Sequence, residues 1–140
     1  MHGLDPGETR HSPLSRINDS NVSSLGLAWS HEFESRRGIE ATPIVVDGRM
    51  YVTGPWSVVH CFTAVTGEHL WTWDPKVDKA IYGRRACCDV VNRGVNYADG
   101  KIFVGVFDGR LSALDAKTGQ PVWEVVTLDQ TKNYTITGAP

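Results

Sequence analysis

Hydrophobic and polar residues along the chain follow short segments rather than the longer period of a helix. Apolar, β-branched and aromatic residues are concentrated at positions 43–46, 50–52, 57–62 and 69–73. Asp47-Gly48 and Thr66-Gly67 separate some of these segments, and glycine favours such turns because it tolerates a positive φ. No window repeats apolar side chains at i, i+3, i+4 and i+7. The pattern therefore predicts short antiparallel strands and little helix.

An internal repeat organises these strands. VDGRMYV at 46–52 aligns with ADGKIFV at 98–104, and at the same offset of 52 residues CFTAVTGEHLW at 61–71 aligns with ALDAKTGQPVW at 113–123. A unit of about four strands that recurs every 40 to 50 residues or so is typical of a β-propeller blade. Residues 137–140 (TGAP) repeat the form of residues 40–43 (EATP), which predicts the start of a third unit.

Two blades cannot close a propeller, which forms a ring of about 4 to 8 blades. We therefore expect the chain to be the N-terminal part of a larger propeller. The predicted organisation is an N-terminal segment and closing strand at 1–38, a first blade at 39–85, a second at 86–133 and the start of a third at 134–140. A self-contained β-sandwich is the alternative, although it would not require the repeat.

Composition and charge exclude several kinds of partner. The chain has 140 residues, of which 41% are hydrophobic and 21% charged, and its net charge is −2, so it matches an ordinary globular protein without a footprint for nucleic acid. Its apolar runs are far shorter than the roughly 20 residues of a membrane helix, and its first dozen or so residues lack the apolar core of an export signal. We expect no nucleic-acid partner, membrane span or signal peptide in this chain.

The second repeat carries a recognisable motif, Ala113-x-Asp115-x-x-Thr118-Gly119-x-x-x-Trp123. It resembles the tryptophan docking motif of the quinoprotein alcohol dehydrogenases, all-β proteins with an eight-bladed propeller that carries pyrroloquinoline quinone (PQQ) on its axis. Residues 11–29, 40–52, 55–67, 86–95, 108–125 and 134–140 support the resemblance, which covers nearly the whole chain. ACCDVVNRGV at 86–95 is the most specific of these stretches.

The docking motif is predicted to build structure. A tryptophan ring can wedge between blades, a glycine turn allows close approach, and an aspartate can accept from turn amides. We therefore interpret Trp71 and Trp123 as structural, and Trp29, Trp56 and Trp73 as packing residues. The first copy has Cys61 and Thr63 in place of Ala113 and Asp115, which predicts a weaker turn without loss of the fold.

Cys87 and Cys88 are adjacent in the sequence. Neighbouring α-carbons lie about 3.8 Å apart, below the usual disulfide range of about 4.4 to 6.8 Å, so a bond between them would be strained. Two reduced, buried thiols are the alternative. The resemblance implies a vicinal disulfide that lies against one face of PQQ. Cys61 then remains as a buried, unpaired thiol.

Four more residues are assigned to the cofactor by resemblance. PQQ carries three carboxylates and a quinone, and a guanidinium binds planar anionic groups in bidentate geometry. Arg93 is expected to bind PQQ, Val91 to line its pocket, and Glu40 and Thr137 to hydrogen-bond it. Glu40, Arg93 and Thr137 also lie near equivalent positions of successive units, which converge on the axis of a propeller. A solvated carboxylate and a turn hydroxyl are the alternatives for Glu40 and Thr137.

The resemblance also implies a reaction. In the family a Ca²⁺ or lanthanide ion polarises the quinone, an aspartate takes the alcohol proton, and hydride passes to the quinone. We expect the metal ligands and that aspartate to lie outside this chain, and Asp89 is not given the role. No catalytic residue is therefore assigned, and the chain alone is expected to be inactive and to fold poorly.

The implied parent is a periplasmic PQQ-dependent alcohol dehydrogenase that oxidises a primary alcohol to an aldehyde. Its electrons would pass to a cytochrome c or a haem c domain, and an oxidised cysteine pair fits an exported protein. A PQQ-dependent sugar dehydrogenase is one alternative. The other is a non-catalytic propeller that assembles outer-membrane proteins, which would need neither a strained disulfide nor an arginine on the axis.

Overall fold

The computed structural model describes residue 7, residues 9–85 and residues 88–140. In these residues two four-stranded antiparallel sheets follow each other along the chain, with the strand orders β1-β2-β3-β4 and β5-β6-β7-β8. The strands are β1 (Ile44–Val46), β2 (Arg49–Thr53), β3 (Val59–Thr63), β4 (His69–Trp73), β5 (Asn96–Ala98), β6 (Lys101–Gly105), β7 (Arg110–Asp115) and β8 (Pro121–Val126). One short helix, α1 (Lys79–Tyr82), and 3-10 turns at Val22–Ser24 and Pro55–Ser57 complete the described elements. The all-β fold expected from the sequence is confirmed, and no described helix is long and apolar enough to cross a bilayer.

The sequence repeat is also a repeat of structure. Each sheet is a meander in which every strand pairs with the next one along the chain. The register shifts once in each sheet, between Cys61 and Phe62 and, 52 residues later, between Ala113 and Leu114. The two sheets therefore have a register shift at the same position of the sequence alignment.

Among the described residues, the larger of two clusters of buried hydrophobic residues joins the two units. Its buried members are Tyr51, Val59, Cys61, Val95, Ile102, Val104, Leu114 and Ala116, and the second cluster contains Val77, Tyr82, Val90, Val106 and Phe107. Cys61 is fully buried, is in no disulfide within the described part of the chain, and has a raised pKa because of its burial. The predicted buried and unpaired thiol is thus what the structure shows.

Tryptophan rings pack on the turn glycines between units. A Cβ placed on Gly119 would lie 2.6 Å from the indole of Trp71, and one on Gly67 would lie 2.5 Å from that of Trp29. The Trp29 Nε1 also donates to the carbonyl of Ala64 at 3.0 Å. Trp29 is therefore a docking residue equivalent to Trp71, which is more than the general packing role that the sequence predicted.

The two docking turns differ in one carboxylate. Oδ1 of Asp115 accepts from the backbone nitrogens of Lys117 at 3.0 Å and Thr118 at 2.8 Å, and the bonds from Thr118 lower the pKa of Asp115. In the first copy Thr63 occupies this position, yet its carbonyl accepts from Gly67 at 2.8 Å, as the carbonyl of Asp115 does from Gly119. The backbone turn is preserved without the aspartate, and the fold is not lost.

Three histidines gather on β3, β4 and the segment that precedes the first sheet. The ring centroids of His31, His60 and His69 lie 6.4 to 6.5 Å apart. The Thr72 hydroxyl lies 2.7 Å from Nε2 of His69 and 3.1 Å from Nδ1 of His60. Burial, followed by the neighbouring His69 and His31, lowers the pKa of His60 from 6.5 to about 4. The folded state therefore holds His60 neutral.

Acid should destabilise the protein through His60. Unfolding restores the ordinary pKa, so the unfolded state binds one more proton between pH 6.5 and about 4, and the free energy of unfolding falls as the pH drops through that window. At about 1.4 kcal/mol per pKa unit, reduced because the ring is partly open to solvent, the loss is about 2 kcal/mol. Urea unfolding at a series of pH values should show this loss in the wild type and a smaller one in His60→Asn. His11→Asn, at an exposed position, should behave as wild type, and an unchanged pH profile in His60→Asn would refute the assignment.

Candidate functional site

Three polar side chains that are far apart in the sequence contact each other in the structure. Glu40 precedes β1, Arg93 precedes β5, and Thr137 follows β8. Arg93 Nη2 lies 2.9 Å from Oε2 of Glu40, and Arg93 Nη1 donates to Oγ1 of Thr137 at 2.7 Å. The side chains of Arg93 and Glu40 are 45% and 46% exposed. The result is a cation held between a carboxylate and a hydroxyl and open to a ligand.

Backbone hydrogen bonds bring these three residues together. The amide of Thr42 donates to the carbonyl of Arg93 at 3.1 Å, and the amide of Arg93 donates to the carbonyl of Thr137 at 2.8 Å. The leading segments of successive units therefore lie side by side. This convergence is what the repeat led us to expect, while a role of the three residues in cofactor binding stays a prediction.

The remaining predicted site residues lie in the segment before Arg93. Val91 is buried, with 3% of its surface exposed, and Cys88 is exposed. Cys87 lies outside the described residues, and so does the predicted Cys87–Cys88 disulfide. The structure therefore places Val91 and Cys88 on the chain that leads into Arg93, and the disulfide stays a prediction.

An ion pair that was not predicted from the sequence anchors the segment that precedes Arg93. Asp89 pairs with Arg37, whose guanidinium carbon lies 5.6 Å from the ring centroid of Trp56. The amide of Trp56 donates to the carbonyl of Val90 at 2.9 Å. At the repeat offset of 52 residues Arg37 aligns with Asp89 itself, a residue of opposite charge, so no shared residue type marked the pair.

Asn92 is a second residue that sequence analysis missed. Its side chain is 1% exposed, between Val91 and Arg93 in the most specific motif of the chain. A buried amide must satisfy its hydrogen bonds inside the protein, and the partners of Asn92 come from three separate strands or loops. At the offset of 52 residues Asn92 aligns with Glu40, a residue of another type and charge, so its place in the motif was the stronger signal.

The donor set suits a planar polyanion. The described contacts use two of the five N–H donors of Arg93, and a guanidinium prefers carboxylates and other planar oxygen groups. The hydroxyl of Thr137 can still donate its own proton. These residues fit a cofactor with several carboxylates and a quinone. The described residues contain no group of three or more side chains able to hold a metal ion.

Comparison with known proteins places the chain in a family. Residues 1–125 match the family model PQQ, described as "Glucose/ethanol/alcohol dehydrogenase, beta-propeller domain". The chain is 60% identical to the 1-butanol dehydrogenase (cytochrome c) of Thauera butanivorans over 140 residues, covering 99% of this chain and 20% of the relative.

Two solved structures show the same fold. The quinohemoprotein alcohol dehydrogenase ADHIIG of Pseudomonas putida HK5 matches with a TM-score of 0.93 and 56% identity, over 99% of this chain and 20% of that one. A europium-containing methanol dehydrogenase matches with a TM-score of 0.89 and 43% identity, over 100% of this chain and 25% of that one. The chain thus spans about a fifth of its relatives' length, and it belongs to the glucose/ethanol/alcohol dehydrogenase family of PQQ beta-propeller domains.

Proposed function

We propose that this chain forms one wall of the PQQ site in a dehydrogenase that oxidises a primary alcohol to an aldehyde. The observation that carries the proposal is the bridge from Arg93 to both Glu40 and Thr137. It joins the leading segments of successive units, which point toward the axis in a propeller. The guanidinium of Arg93 keeps further N–H donors beyond the two used in these contacts, and a ligand can accept from them.

Each residue of the wall has a distinct task. PQQ, when bound, supplies the acceptor of the hydride. Arg93 and the Thr137 hydroxyl donate to its oxygens. The resemblance also assigns Glu40 a hydrogen bond to PQQ, and we propose in addition that Glu40 and Thr137 fix the guanidinium so that little side-chain freedom is lost when the ligand binds. Val91 and the Cys87–Cys88 pair, as a disulfide, exclude water from one face of the ring system.

Alcohol is favoured over sugar as the substrate. The family description covers both classes, but the similar proteins at 56% to 60% identity are named for alcohols. A Ca²⁺ or lanthanide ion held by residues outside this chain, a cytochrome c or haem c acceptor and a periplasmic location complete the proposal. The europium named in one similar structure and the cytochrome c named in one relative support the metal and the acceptor.

Alcohol oxidation that depends on PQQ tests the proposal. The complete polypeptide from the same gene, prepared without cofactor, should reduce an electron-accepting dye with 1-butanol only after PQQ and Ca²⁺ are added. Glucose should give little activity, and the reduced protein should show a haem c spectrum if a haem domain is present. Cys87→Ser/Cys88→Ser should lose most of the activity, whereas Cys61→Ser, which alters the thiol in the core, should retain it at temperatures where it is folded.

The opposite results are equally clear. A wild-type protein that is folded by circular dichroism but neither binds PQQ nor oxidises an alcohol would refute the proposal. PQQ-dependent oxidation of glucose in preference to every alcohol would leave the cofactor site intact and replace the substrate.

A further inference from the structure

We propose that Asn92 and Ser57 form a buried hydrogen-bonded support that positions Arg93 and Val91 in the cofactor wall. The inference rests on the proposed function, because it assigns a task toward PQQ to two residues that lie behind the wall. Neither residue is expected to touch the cofactor. They are positioning residues, and their effect is transmitted through the backbone of the segment from 91 to 94.

Both polar atoms of the Asn92 side chain are hydrogen-bonded inside the protein. Its Nδ2 donates to Oγ of Ser57 at 3.0 Å and to the carbonyl of Gly105 at 2.8 Å, and its Oδ1 accepts from the amide of Gly94 at 3.0 Å. The carbonyl of Asn92 accepts from Oγ1 of Thr53 at 3.1 Å. Such a side chain holds its own backbone in one place, because any shift would leave buried polar groups unpaired at a cost of about 1 to 3 kcal/mol each.

Ser57 and Gly105, the two partners of the Asn92 amide nitrogen, connect elements of both units. Ser57 belongs to the connection between β2 and β3, and its Oγ also accepts from the amide of Phe107, in the connection between β6 and β7, at 3.0 Å. Gly105 ends β6, and a Cβ placed on it would lie 2.5 Å from Cγ2 of Ile136, the neighbour of Thr137. The support therefore contacts both units and reaches the segment that carries the third residue of the site.

The backbone at Ser57 is strained. Trp56 and Ser57 have φ values of 64° and 61°, in the left-handed region, which costs a residue with a side chain about 1 to 2 kcal/mol. Such strain persists only where the surroundings over-determine it, and it is concentrated at functional sites. Here the strained turn brings the Ser57 hydroxyl, which is fully buried, within hydrogen-bond distance of the side-chain nitrogen Nδ2 of Asn92. The segment next to Arg93 is thus fixed by an arrangement that a simple connecting loop would not require.

Binding of PQQ to the cofactor-free, complete polypeptide tests the support. Ser57→Ala should raise the Kd for PQQ, measured by fluorescence quenching at a temperature where the variant is folded, by about tenfold. Ser57→Gly removes the same hydroxyl but relieves the left-handed strain. It should therefore be at least as stable as Ser57→Ala and show the same increase in the Kd for PQQ. Hydrogen exchange should show faster exchange at the amides of Arg93 and Gly94 in both variants, without any cofactor present.

Ser112→Ala is the matched control. Ser112 is also fully buried, and its Oγ donates to Glu124 at 2.8 Å, away from the segment that carries Arg93. It should lose stability while keeping the wild-type Kd and the wild-type exchange at Arg93. A double-mutant cycle with Arg93→Lys adds a second criterion, because the effect of Ser57→Ala should shrink when the guanidinium it positions is absent.

Three results separate the possible failures. A wild-type Kd and wild-type exchange at Arg93 in both Ser57 variants would overturn the inference and leave the proposed function standing. Equal effects of Ser57→Ala and Ser112→Ala on the Kd would mean that Ser57 acts only through the overall stability of the protein. That result would also overturn the inference. A wild-type protein that does not bind PQQ would overturn the proposed function, and the positioning role with it.

Discussion

Alanine at Gly119 should lower the free energy of unfolding by about 3 kcal/mol. Gly119 has a φ of +72°, and its added Cβ would lie 2.6 Å from the indole of Trp71. The left-handed backbone costs alanine about 1 kcal/mol, and displacement of a packed ring costs roughly 1 to 3 kcal/mol more. Urea unfolding of the complete polypeptide, followed by circular dichroism, measures the sum.

Gly100→Ala is a matched control for this prediction. Gly100 has the same φ of +72°, but nothing lies within 4 Å of its added Cβ, so the substitution should cost only the backbone term of about 1 kcal/mol. The first unit offers the same comparison between Gly67, where a Cβ would lie 2.5 Å from Trp29, and Gly48, where the space is open. Equal losses within each pair would show that the rings do not depend on these glycines.

The docking contacts matter for the site because the site crosses units. Trp71 belongs to β4 of the first unit and packs on a turn of the second, while Arg93 of the second unit binds Glu40 at the start of the first. A small rotation between units would change the distance between the guanidinium and the carboxylate. We therefore expect Gly119→Ala to weaken cofactor binding as well as stability.

The sequence was sufficient to predict the parts of the fold that repeat. An offset of 52 residues relates the strands, the turns and even the register shifts of the two sheets, because equivalent blades bury equivalent faces. The repeat also placed Glu40, Arg93 and Thr137 near the starts of successive units, although the family resemblance was needed to select these three residues. The repeat is informative because each unit forms the same sheet and packs against its neighbour through equivalent residues.

The sequence was insufficient where the repeat does not carry the same residue type at the same offset. Trp29 precedes Trp71 by 42 residues rather than 52, so its docking role was hidden although it occupies the equivalent position on Gly67. The pair of Arg37 and Asp89 and the amide of Asn92 depend on tertiary contacts that occur once. Such contacts follow from how segments cross, and residue types alone do not encode the crossing.

Replacement of Arg93 by glutamine should raise the Kd for PQQ by about 100-fold, or about 2.7 kcal/mol. The substitution removes the positive charge that binds anionic oxygens, and it also leaves the carboxylate of Glu40, formerly 2.9 Å from Nη2 of Arg93, without its counterion. An uncompensated carboxylate would then repel an anionic ligand. Titration of the cofactor-free protein with PQQ measures the change.

The double variant Arg93→Gln/Glu40→Gln separates these two causes. If Glu40 acts as the counterion of Arg93, removal of its charge relieves the repulsion, and the double variant should bind PQQ about tenfold more tightly than Arg93→Gln alone. Arg49→Gln is the control, because Arg49 also crosses between units, donating to the carbonyl of Lys117 at 3.2 Å, but lies outside the site, and its Kd should match the wild type. If Glu40→Gln instead weakened binding further in the Arg93→Gln background, Glu40 would be a direct ligand of the cofactor whose charge is required. The sign of that one change therefore decides whether the ion pair serves as a preformed clamp or as two independent contacts.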